Sequence, residues 1–146
     1  MTSTIDNAIA RAQTLALAIT SVSIKSAPNY PVENADPFPF CAAYLGGGQF
    51  YFGNASTVYQ FPAITVEFHF SRVNLKQTYT QINAVAVEFP KILAADPTLG
   101  GIVSTILASQ AQPIAFSVRP FQWGQVTSQM LLFTVPFKAL ESPQSV

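Results

Sequence analysis

Charge is what this sequence has least of. Its 146 residues include seven Lys plus Arg and seven Asp plus Glu, 10% of the chain, for a formal net charge of zero. A typical soluble domain carries about 25% charged residues. With no surplus of Lys and Arg, the chain cannot neutralise a phosphate backbone, which excludes a nucleic-acid surface of the usual electrostatic kind. Cysteine is nearly missing as well. Cys41 stands alone, so neither an internal disulfide nor a Cys-rich zinc site can form. That points to an intracellular or assembled product rather than a disulfide-stapled secreted domain. Long hydrophobic runs are also absent, and nothing approaches the ~18 apolar residues of a membrane-spanning helix. The nearest stretch, Leu15 to Ile24, is broken by Thr20, Ser21 and Ser23. Only one basic residue, Arg11, precedes it, so it lacks the start of a secretory leader.

Apolar residues are abundant: 49% of the chain, including 12 Phe, with a mean hydropathy of +0.31. That excludes disorder. The length suits one domain over 1–146, large enough to bury roughly 70% of its unfolded surface. A lone subunit with so little charge exposes apolar patches. Other protein subunits, more than a membrane, are therefore expected to cover part of this surface.

Residues 4–20 read as a helix, with Ser3 and Asp6 as a capping box and Ile5, Ile9, Ala12, Ala16 and Ile19 as its stripe. Four prolines between Ala27 and Pro39 make an extended connection. Phe40 to Leu45 reads as a short strand closed by a turn at Gly46-Gly47-Gly48, and Gln49 to Gln60 as a hairpin or protruding loop. In Ala63 to Arg72, Ile64, Val66, Phe68 and Phe70 alternate with Thr65, Glu67, His69 and Ser71, one set facing inward and the other outward. Asn74, with Gln77 behind it, caps a second helix whose stripe is Leu75, Tyr79, Ile82, Val85, Ala86 and Phe89. Pro90 kinks that helix or starts a new turn. Ile102 to Ala108 and Ile114 to Phe121 read as strands, Trp123-Gly124 as a turn, and Val126 to Lys138 as a long last strand. The order predicts an α+β fold, a mostly antiparallel sheet packed against two helices.

Candidate chemistry is sparse. His69, the single histidine, shares a strand face with Glu67 and Ser71. Residues two apart on a strand lie ~6.6–7 Å from each other with side chains standing parallel, beyond the reach a Ser-His-acid triad needs. An outward His69 would be replaceable by Ala at a cost of at most about 1 kcal/mol. Cys41 has no histidine or cysteine partner for a nucleophile, and a lone cysteine suits a core. The triple glycine is not followed by Lys-Ser/Thr and opens no helix, so it is not a phosphate cradle. No catalytic, cofactor or metal residues are assigned. The aromatic group Phe50, Tyr51, Phe52 and Tyr59 suits a subunit or partner contact. It is expected to be poorly packed within one subunit.

Several segments in order are similar to one known group. They are the N-terminal helix, the Pro-rich link, a strand ending in glycines, the strand from Ala63 and the helix after it. That helix runs into Leu93-Ala94-Ala95-Asp96-Pro97-Thr98-Leu99-Gly100-Gly101-Ile102-Val103. Together they resemble the tail terminator (tail completion) proteins of long-tailed bacteriophages. The resemblance implies a ring, commonly a hexamer, that caps the tail tube and joins it to the neck or head connector. It implies contacts with the tail tube protein, with the neck or head-connector protein and with other copies of itself. DNA would pass through the lumen without sequence-specific binding, and no membrane or cofactor would be involved. The location would be the tail or neck of the virion, after assembly in the host cytoplasm. The competing readings are another phage neck or head–tail joining protein, a small-molecule binding module with an apolar pocket, and a hydrolase built on His69. A binding module needs convergent buried polar groups, and a hydrolase needs partners for His69.

Overall fold

Ser3 opens the first helix. Its hydroxyl accepts the Asp6 N–H at 3.0 Å, and the Asp6 carboxylate accepts the Ser3 N–H at 3.2 Å, the reciprocal box predicted for this start. The computed structural model describes residues 3–54, 57–106, 113–139 and 144–145. In it α1 spans Thr4–Leu17. It stops short of residue 20 because Thr20 and Ser21 turn their N–H groups to the Glu88 carboxylate, at 2.8 and 2.9 Å. Then follow β1 (Phe40–Asn54), β2 (Thr57–Ser71), α2 (Leu75–Ala94), β3 (Val103–Thr105), β4 (Ala115–Trp123), β5 (Val126–Pro136), β6 (Lys138–Ala139) and β7 (Gln144–Ser145). The main sheet has the order β1-β2-β5-β4 with antiparallel neighbours, β7 joins the far end of β2, and β3 pairs with β6. The architecture is α+β, as the pattern of elements predicts.

The apolar stripe of β2 meets both helices. Ile64, Val66, Phe68 and Phe70 pack with Leu131, Phe133 and Val135 of β5, with Ala8, Ala12 and Ala16 of α1, and with Ile82, Val85 and Phe89 of α2. Asn74 Oδ1 accepts the Gln77 N–H at 3.2 Å, as its capping role requires. Two residues of the expected stripe, Leu75 and Tyr79, are largely exposed, and Thr78 is buried in their place. Its hydroxyl donates to the Ser71 carbonyl, tying α2 to the end of β2. The helix runs through Pro90 to Ala94. Phe89 and Leu93 on either side are buried, and that burial outweighs the one backbone bond that proline removes.

Three strand readings need correction. Of Ile102 to Ala108, only Val103–Thr105 is strand, and residues 107 and 108 lie outside the described residues. The last strand splits at Phe137, whose N–H donates to the Pro62 carbonyl at 2.9 Å. The glycine run is no turn: β1 passes through it for 15 residues. Its register against β2 slips between Leu45↔Ile64 and Gly47↔Ala63, leaving Gly46 as the extra residue of a bulge. A Cβ at Gly46 would sit 1.8 Å from Thr65 Oγ1, and one at Gly48 would sit 2.8 Å from Pro62 Cα. The partner strand is simply too close for side chains. Gly46→Ala is expected to cost about 1–3 kcal/mol, read as a lower denaturation midpoint at unchanged slope.

Glu88 clamps the exit of α1. Besides the two N–H groups, it accepts the hydroxyls of Thr20 and Ser21. The Ser21 hydroxyl, then the N–H groups of Thr20 and Ser21, hold its carboxyl down at about 2, from an ordinary 4.5. A depressed carboxyl contributes stability that is complete above its unfolded value and lost as pH falls through the folded one. This clamp therefore weakens between pH 4.5 and about 2. Glu88→Gln is expected to lower stability at neutral pH by about 1 kcal/mol and to flatten the acid limb of stability against pH in that window.

Candidate functional site

The segment after the bulge, expected as a hairpin or a protruding loop, is the outer half of a long hairpin. Gln49, Phe50, Tyr51 and Phe52 pair with Phe61, Gln60, Tyr59 and Val58 in turn. Phe50 and Phe52 are 65% and 62% exposed, and Tyr51 is exposed too. The four expected contact residues thus share one ribbon, although the side chain of Tyr59 lies outside the described residues. The bulge decides which way each ring points. Before it, the odd residues Cys41 and Ala43 face the helices. After it, the even residues take that side, since Phe50 and Phe52 pair with Gln60 and Val58 in the parity of Ile64 and Val66. Phe50 and Phe52 meet edge to face at 6.0 Å, while Tyr51 stacks on Phe61 at 5.8 Å.

At the opposite edge of the sheet, β4 forms the outer strand. From Ala115 to Gln122 it is exposed on both faces, with Phe116 61% exposed. Between β4 and α2 lies a cavity of about 270 Å³ lined by Pro90, Leu93, Ala94, Ile106, Ile114, Phe116 and Phe133. Its lining is wholly apolar. The convergent polar groups that a small-molecule site would need are not among these residues.

His69 is not on an exposed face. It is 0% exposed, and the other side of the sheet has a cover of its own. Phe40, Phe121 and Trp123 pack around the imidazole with ring centroids 5.0, 5.5 and 5.0 Å away. Its ring is wired at both nitrogens, with Nε2 2.9 Å from Glu67 Oε1 and Nδ1 3.0 Å from Ser128 Oγ. Long side chains lean along a strand, so residues two apart can meet. The expectation that Glu67 and His69 stand parallel is therefore wrong. Ser71, the expected serine, instead accepts the Val73 N–H. Trp123 Nε1–H can only donate, and it donates to Ser128 Oγ at 3.1 Å. Ser128 O–H is then free to donate to Nδ1, and Nε2–H to Glu67. This wiring satisfies a neutral imidazole, with the tautomer assigned from the network. Tyr44 O–H donates to the second oxygen of Glu67. Burial would raise the Glu67 carboxyl, but the hydrogen bonds from His69 and Tyr44 and the charge of Arg119 outweigh it and hold it below its ordinary value.

Ser128, His69 and Glu67 have triad-like contacts without triad access. Both Ser128 and His69 are fully buried, and neither lines a described cavity. Cys41 is buried in the core, and burial pushes its thiol far up, away from the reactive thiolate. Among the described residues no group of His, Cys, Asp or Glu is placed to hold a metal, and no helix is long and apolar enough to cross a membrane. Sequence reasoning missed Ser128, Trp123 and Tyr44. The one trace of them was the polar run Thr127-Ser128-Gln129 ahead of the apolar Met130 to Phe133.

The Leu93–Val103 segment is a structural tie. Asp96 accepts Arg11 Nε at 2.8 Å and the Gly100 N–H at 2.8 Å, joining α1 to the turn after α2. Leu99, Gly100 and Gly101 there have φ of 48°, 70° and 84°, the left-handed region that glycine enters freely. No protein-family model matches the chain, and no curated protein matches it.

Proposed function

We propose that this chain is a structural virion protein, the ring-forming subunit of a phage tail terminator that caps the tail tube and joins it to the neck or head connector. The observation that carries the subunit reading is the arm. Phe50 and Phe52 are about two-thirds exposed on a paired hairpin, and among the described residues nothing covers most of their surface. Exposed aromatic rings are the usual anchors of protein interfaces. The low charge supports the same reading, since contiguous apolar surface mostly marks interaction sites. The resemblance in the order of elements and in Leu93–Val103 supports the narrower assignment to a tail terminator. Its partners would be further copies of itself in a ring, commonly a hexamer, together with the tail tube protein and the neck or head-connector protein, with the assembly located in the virion.

On this reading the chain turns over no substrate, and the His69 network serves the fold. Light scattering on the purified chain at micromolar concentration tests the subunit role. A closed oligomer of several subunits is the expected result, with mostly apolar interfaces of 2,000 Å² or more, as obligate assemblies have. A monomer would overturn the reading.

A further inference from the structure

The arm leaves the body of the protein as a ribbon of two strands. β5 stops at Pro136, opposite Ala63. Farther out, β2 pairs with β1 on one side and with β7 on the other only at Thr57 and Val58. A two-stranded ribbon is marginal by itself in water. This one has no charged residue from Leu45 to Pro62, and it presents Phe50 and Phe52 from the side of the sheet that bears the helices. The cavity beside β4 opens on that same side, through Phe116 and Phe133.

We infer that the arm of one subunit lies across the β4 edge of the next copy, with Phe50 and Phe52 covering the apolar cavity beside Phe116. The inference rests on the subunit reading above and names the two surfaces that meet. The arm cannot reach the cavity of its own chain, because it continues β1 and β2 outward while β4 lies at the other edge. β1 and β4 are three strand spacings apart, roughly 14 Å. The described C-terminal residues are also committed elsewhere, with Gln144 and Ser145 paired to the arm at Val58 and Thr57. Charge matching favours a second copy. Neither the arm nor the seven-residue lining carries a charge, so the contact strips water from none, whereas a charged partner would lose hydration there without a counter-charge. A contact between two different surfaces of identical chains is heterologous, and it closes into a ring when its rotation permits.

Two variants test this by light scattering. Phe50→Ser with Phe52→Ser removes the arm rings and leaves Tyr51 on Phe61. Phe116→Glu places a charge at the cavity mouth, on an exposed side chain. Each is expected to run at the mass of one chain while unfolding cooperatively by circular dichroism. Mixed in equal amounts, they should form a one-to-one dimer and nothing larger, because the intact arm of one fits the intact cavity of the other. If either variant fails to fold, Phe52→Gln and Ala94→Trp replace them, the latter filling the cavity from the exposed end of α2. A wild-type oligomer that survives either change overturns this contact and leaves the subunit reading standing. Variants that stay single chains on mixing overturn it as well. Loss of stability in Ala94→Trp with the oligomer intact would assign the cavity to a segment of the same chain, and so overturn it. A monomeric wild type would remove both proposals.

Discussion

His69→Ala is expected to lower the unfolding free energy by about 3–4 kcal/mol, because it leaves a buried carboxylate short of a donor and opens a void among three rings. At ~2–4 °C per kcal/mol for a chain of this size, a thermal melt should drop by roughly 6–16 °C. Three losses combine. The Glu67 carboxylate, with a side chain only 11% exposed, keeps Tyr44 but loses its imidazole donor. The Ser128 hydroxyl loses its acceptor. A void opens between Phe40, Phe121 and Trp123, which all touch the imidazole. A change under 1 kcal/mol would mean that the network is loose in solution. The pH dependence gives a second readout. Glu67 sits below its ordinary value, so its contribution is complete above the ordinary carboxylate range and fades as pH falls through the lowered one. Without His69, that fading should begin at higher pH.

Phe89→Ala is expected to be as severe, at about 3–5 kcal/mol. Phe89 is the ring by which α2 grips the sheet. It meets Phe68 at 5.1 Å and Phe133 at 5.0 Å, and those two meet at 6.0 Å. All three are almost wholly buried, and their edge-to-face geometry adds to the area that they bury. Removing the middle ring leaves a void that two neighbouring strands and a helix would have to collapse to fill. Phe89→Leu should recover most of the loss, because it restores volume without the ring contacts. Chemical denaturation of both variants checks this, and equal losses for Ala and Leu would show that ring geometry outweighs volume.

How far the sequence reaches depends on the range of the forces involved. The capping box at Ser3, the Asn74 cap, the β2 alternation and the hairpin turn at Gly124 are all legible in advance. Each depends on groups a few residues apart, whose geometry the backbone imposes. The stripe of Phe50, Tyr51 and Phe52 could be singled out as a surface, but its shape could not be deduced. A glycine run bounding aromatic residues suits a loop as well as a strand, and only pairing with β2 distinguishes them.

By itself, then, the sequence determined two capped helices, an antiparallel sheet, and a chain with only 10% charged residues to place on its surface. The tertiary structure decided the rest. It placed Ser128 beside His69 from 59 residues away and folded Phe40, Phe121 and Trp123 over a face that period-two alternation assigns to solvent. One extra residue at Gly46 turned Phe50 and Phe52 to the side of the helices. The physical reason is the same in each case. Alternation tells which residues share a face, but whether that face is covered, and in what register, is decided by strands that meet only when the chain closes on itself.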